Sequence, residues 1–199
     1  MLLSRTSVPN WAHRSRVNTP RRPAETERPL HMITDPHAVL FAHDRWANAQ
    51  LYAACEALTP DQFTQPFDMG TGSIRNNLVH NLGAMQGWTD VLNETESRPR
   101  LEESEYTLEQ IRDLHDPICD DFEAAALRRP FDTVINRKRG EHSYTFTVGG
   151  IITHVTTHSV HHRAQCLNML RQLGVEKLPM SSIMEWMLFE GKHERAALK

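Results

Sequence analysis

Cysteine is scarce and poorly spaced for cross-linking. The chain holds Cys55, Cys119 and Cys166, an odd number with no CxxC pair. This excludes a disulfide framework, and a reducing cytoplasm is the simplest setting. Each thiol reads as a small buried apolar residue. Long apolar runs are missing too. Nothing approaches transmembrane length, and no stretch has the apolar heart of a secretory signal. The expectation is a cytoplasmic protein without a membrane partner. The apolar fraction is low, 39%, and the shortage has a local cause. Residues 1–31 carry few large apolar side chains, and their six arginines face only Glu25 and Glu27. That segment reads as a basic, disordered extension. Two weaker readings are a gene-start artefact, since Met32 opens a freshly patterned segment, and a targeting peptide, which the prolines between Pro20 and Pro29 oppose. With +4 in the extension and -3 overall, residues 32–199 carry -7. An acidic domain gives no electrostatic reason to bind nucleic acid.

What remains is patterned for helices. Asp35-Pro36 starts the first, because aspartate caps and proline fits the first helical position. Val39, Leu40, Trp46, Ala47, Leu51, Ala54, Cys55 and Leu58 form its apolar stripe, and Thr59-Pro60 ends it. A loop runs to Gly72. Ser73 caps a second helix whose apolar positions run from Ile74 to Leu92, and residues 94–105 read as a long polar loop. Thr107-Leu-Glu-Gln110 is a capping box for a third helix. Pro117 lies inside its stripe and is expected to kink or split it. Residues 133–136 and 143–148 read as strands of a hairpin with Gly140 free to take a positive φ. A fourth helix spans about 151–173 and stops at Gly174, and a short terminal helix lies within 181–189. The expected fold is all-α: a four-helix bundle with a small β-hairpin before the last long helix.

Histidine is abundant, twelve in all, and His154, His158, His161 and His162 fall within nine positions. On a helix, residues four apart leave the same face one turn apart, so two such imidazoles can share one transition-metal ion. His154 and His162 are about 12 Å apart along the axis. One ion therefore takes an adjacent pair, and a third ligand must come from another helix. His80 is the natural candidate, mid-helix beside the core positions Leu78 and Leu82. Against this, a single histidine on a half-buried helix is ordinarily hydrogen-bonded and unliganded, and an HxxxH spacing recurs by chance. His161, on another side, reads as a solvated position. Cys166 reads as core.

The segment Gly149 to Gly174, with His158-Ser-Val-His-His162-Arg163-Ala-Gln165 and the closing Leu173-Gly174, resembles the histidine motif of the DinB-like family. Ser73-Ile74, His80 and Trp88 at their spacing, and Arg45-Trp-Ala-Asn48 on the first helix, are similar to that family as well. The resemblance spans roughly 35–189. It implies a four-helix bundle with a divalent metal, usually zinc or nickel, on His80, His158 and His162. Three nitrogen ligands leave a coordination position open, as catalytic sites do. Characterised members include transferases that use low-molecular-weight thiols such as bacillithiol or mycothiol, and a related branch isomerises maleylpyruvate. The family name refers to damage induction and implies no DNA repair.

The first functional expectation is therefore a metal-dependent thiol S-transferase acting on a small-molecule substrate. A second is a metal-dependent hydrolase, and a third a non-catalytic metal- or small-molecule-binding protein. Metallopeptidases of the HExxH kind place a glutamate beside the histidine pair, whereas residues 159–161 are Ser-Val-His here. That difference favours thiol activation. Arg163 has two readings, a structural ion pair or an anionic substrate contact. Gln165 and Asn48 are candidates for orienting a ligand histidine. The resemblance also implies a homodimer. The apolar segment Ile183–Phe189 fits either that interface or a lid on one end of the bundle.

Overall fold

The computed structural model describes residues 35–103 and 105–189. The basic extension expected over 1–31 lies outside these residues. Among them the elements run α1 (Pro36–Cys55), α2 (Pro60–Thr64), α3 (Ile74–Asn93), α4 (Leu108–Ala126), β1 (Val134–Arg139), β2 (His142–Thr147), α5 (Val148–Gln172) and α6 (Ile183–Phe189). The long helices α1, α3, α4 and α5 form the bundle. Its interior is built from Leu51 of α1, Ile74 and Leu82 of α3, Ile111 and Phe122 of α4, and Ile151, Met169 and Leu170 of α5, each 2% exposed or less. This is the expected fold.

The helix starts follow local chemistry. Asp35 accepts the His37 amide ahead of Pro36, and the Thr107 box closes through Gln110 in both directions. At the far end of α5, Gly174 takes φ +87°, and the Val175 amide returns to the Leu170 carbonyl.

Three local expectations need correction. Of the kink or split expected at Pro117, the split is absent, since α4 runs unbroken through it. The proline and the residue one turn before it, Asp113, are both exposed. Water can therefore serve the carbonyl that loses its amide partner. The expected loop after Thr59 contains α2. Helix α1 already ends at Cys55 with Glu56 as its cap, before the expected Thr59-Pro60, and Thr59 with Gln62 forms the capping box of α2. Helix α5 also begins at Val148, before the two glycines, because the Thr147 hydroxyl accepts the Gly150 amide and caps it.

The hairpin is antiparallel, with Arg139 opposite His142, so that Gly140 and Glu141 form the turn. Gly140 takes φ +62° there. Ile135 is buried, and Phe146 meets Trp88 of α3 edge-on, at 5.1 Å between ring centroids. These contacts seat the hairpin on α3. Helix α6 buries Trp186 at 6% exposure, while Met184, Met187, Leu188 and Phe189 remain exposed. No described helix is long and apolar enough to cross a membrane.

Two buried histidines outside the α5 cluster link this fold to pH. His43 bonds the Ser181 carbonyl, and His115 lies between Asp116 and Cys119. Burial is the largest cause of a lowered pKa in each. The unfolded chain takes up protons near the ordinary value of 6.5, whereas the folded chain holds both rings neutral to lower pH. Their contribution to stability is therefore complete above that value and declines as pH falls below it. The melting temperature of chelator-treated protein should drop between pH 6.5 and about 5, and His115→Gln should flatten the slope. An unchanged slope would exclude His115 as a source.

Candidate metal centre

His80 leaves the middle of α3, and His158 and His162 leave one face of α5. The antiparallel packing of these two helices brings the three rings together. Ring centroids are 4.8 Å apart for His80 and His162, 5.3 Å for His80 and His158, and 4.4 Å for His158 and His162. One nitrogen from each ring falls within 4.8 Å of the other two. His158 Nε2 and His162 Nε2 are 3.2 Å apart. Two nitrogens on one tetrahedral ion, each at about 2.0–2.1 Å, stand about 3.3 Å apart. The closest pair thus already has ligand spacing.

The protonation states agree with a cation-binding role. The pKa of His158 is pulled down to about 4, by burial first and then by its neighbours His162 and His80. That of His162 is lowered by burial first and by His80 next. Neutral imidazoles offer lone pairs, as metal ligands must. An all-nitrogen donor set suits zinc, nickel or copper better than magnesium or calcium.

Two further side chains hold the rings. Asn77, fully buried on α3, lies with its Oδ1 2.8 Å from His162 Nδ1. Glu103, on the α3–α4 loop, lies with its Oε1 3.1 Å from His80 Nδ1. Arg100 on the same loop approaches that nitrogen at 3.4 Å. Neither Asn77 nor Glu103 belongs to the histidine motif in the sequence. Asn77 did leave a signal: it falls on the core face between Ile74 and Leu78, where a polar side chain must find a partner. Glu103 left none, being one of several acids in a polar loop.

The other histidines of the cluster separate as their spacing requires. His154 is exposed and packs against Trp88 at 5.0 Å. His161 is exposed and bonds Gln165 Nε2 at 3.0 Å. Gln165 lies between His161, which its Nε2 reaches, and the candidate ligand His162, whose pKa a hydrogen bond with the same side chain works to raise. Asn48 and Arg163 lie in a different network. The guanidinium of Arg163 donates to Asp44 at 2.9 Å and to Ser159 Oγ at 3.3 Å. Asn48 donates to Asp44 and Ser159, and Asn81 also donates to Ser159. All five residues are buried. This network ties α1, α3 and α5 together, and its members Asn81, Ser159 and Arg163 each directly follow one of the three histidines in sequence. Arg163 thus takes the structural ion pair, one of its two readings. Cys166 is wholly buried, as expected of a core residue, and burial raises its thiol pKa.

The sequence model of the DinB family matches residues 32–192. No curated protein matches the chain.

Proposed function

Because the chain belongs to the DinB family and three histidines of two helices converge, we propose that it is a metal-dependent thiol S-transferase. Its metal ligands in this reading are His80, His158 and His162. The observation that carries the proposal is the neutral Nε2 pair of His158 and His162 at 3.2 Å, with His80 beside it. A zinc or nickel ion held there would supply the positive charge that lowers the pKa of a low-molecular-weight thiol in its open position. The protein's part is to hold the rings correctly turned and to keep His158 and His162 neutral. Glu103 accepts the proton side of His80, Asn77 that of His162, and burial keeps His158 unprotonated. The mouth of the site carries Arg100, a cation with no carboxylate partner among the described residues and suited to an anionic group on the thiol or its acceptor.

Glu103 also favours a second reading, hydrolysis. The sequence shows no carboxylate next to the histidine pair, yet the fold brings one to His80. A carboxylate that orients a ligand histidine fits a metallohydrolase as well as a transferase.

Turnover separates the readings. Zinc- or nickel-loaded protein should consume an aryl halide only with a low-molecular-weight thiol, forming the carbon–sulfur bond and releasing halide and a proton. His158→Ala should lose that rate. Thiol-independent ester cleavage, lost in the same variant, would support the hydrolase instead. Bound metal with neither activity would leave a non-catalytic binding protein.

The functional unit in this proposal is the family-matched region, and a chain beginning at Met32 should keep its metal and its cooperative melting. Pairing of two copies through the exposed apolar side of α6 is the proposed assembly. Light scattering should then report about twice 22.9 kDa.

A further inference from the structure

Resting on the three-histidine reading, we propose that Asn77 is a positioning residue that locks His162 in the tautomer with a free Nε2. The lock follows from a chain of obligatory donors and acceptors. It begins at the Ser73 carbonyl, which can only accept. The Asn77 side chain lies 2.7 Å from that oxygen, so the atom facing it must be the amide nitrogen. The amide oxygen of Asn77 must then be the atom facing His162 Nδ1, at 2.8 Å. An oxygen cannot donate, so Nδ1 carries the hydrogen. In a neutral imidazole the other nitrogen is then bare. That nitrogen, Nε2, is the one 3.2 Å from His158 Nε2. A backbone carbonyl at the cap of α3 thereby determines which nitrogen of a histidine on α5 presents its lone pair.

The surroundings keep Asn77 from turning over. Asn77 is 0% exposed and Ser73 3% exposed, so water has little access to replace either bond. The Ser73 carbonyl also accepts the backbone amide of Asn77, at 3.0 Å. The loop before α3 closes over the amide at Gly70. A Cβ at that position would overlap both Asn77 Oδ1 and Gln165 Oε1, and the glycine takes φ +56°. The positive φ and the close approach of both side chains favour glycine at residue 70.

The lock exists before any metal arrives, so it is tested on metal-free protein. Full-length chain, labelled with nitrogen-15 and freed of metal by chelator, is examined by two-bond proton–nitrogen correlation at about pH 8, where ordinary imidazole is neutral. His162 is assigned by the signal lost in His162→Gln. The expected pattern is a protonated Nδ1 and a bare Nε2. Asn77→Leu should shift His162 towards the other tautomer and weaken zinc binding about 10–100-fold. Asn77→Asp still accepts from Nδ1–H but cannot donate to Ser73. It should keep the tautomer and most of the affinity while melting at a lower temperature, a split that a merely structural residue would not give. A protonated Nε2 on wild-type His162, or an unchanged pattern in Asn77→Leu, overturns the proposal. Should Asn77→Leu fail to fold, the wild-type and Asn77→Asp spectra still decide. The expected tautomer without any zinc binding in wild-type protein would uphold the lock and sink the metal reading instead.

Discussion

His162→Ala should strip the protein of bound divalent metal, whereas His161→Ala, one residue away, should leave it loaded. The contrast rests on direction. His162 is buried, and its Nε2 meets His158 Nε2 at 3.2 Å. His161 is exposed and bonded to Gln165. Losing one of three ligands should cost more than the roughly 10–100-fold in affinity that follows loss of an outer partner. Elemental analysis after dialysis against zinc or nickel, followed by chelator competition, measures both. His80→Ala should behave like His162→Ala although it lies on another helix, because the ion needs both helices. If the alanine variants of His80, His158 and His162 all retain metal like wild type, the three histidines do not form its site.

How far this centre is legible in the sequence depends on the range of each signal. Period alone places His158 and His162 on one face of one helix, and it excludes His154 from sharing their ion. Choosing His80 needs its position beside Leu78 and Leu82, which turns that part of α3 inward. The hairpin is legible because Gly140 sits where a turn needs a positive φ. Local signals mislead where one pair of residues has two readings. Thr59-Pro60 reads as a stop for α1, yet α1 ends at Cys55 and the pair opens α2, which only Gln62 would reveal. Pro117 breaks a helix on average, but on a solvated face the carbonyl it frees need not go unsatisfied. Contacts made by long loops are not legible at all. Nothing in residues 94–105 marks Glu103 out from its acidic neighbours before the loop folds back onto His80. The partner of Arg163 is also hidden. Asp44 lies 119 residues away, and only the packing of α1 on α5 reveals that the pair is buried.

That burial makes Arg163→Met the substitution with the largest expected effect on stability. The side chains of Arg163 and Asp44 are 2% and 6% exposed, so their charges are held away from bulk water. A buried pair is weak evidence of net stabilisation, because desolvating both ions offsets most of their attraction. Removing one partner is another matter. Methionine at 163 would leave the Asp44 carboxylate buried with the neutral amide of Asn48, at 3.2 Å, as its remaining side-chain donor. Such an uncompensated charge costs about 3–5 kcal/mol. For a chain of this size that corresponds to a fall in melting temperature on the order of 10 °C. Asp44→Asn with Arg163→Met should cost less than the two single changes added together, since the pair shares one network. Both variants should still bind zinc at low temperature, because this network lies outside the three-histidine group. Thermal and urea melts with parallel metal analysis make the comparison. An Arg163→Met protein that melts like wild type but binds no zinc would move Arg163 from the scaffold to the metal site.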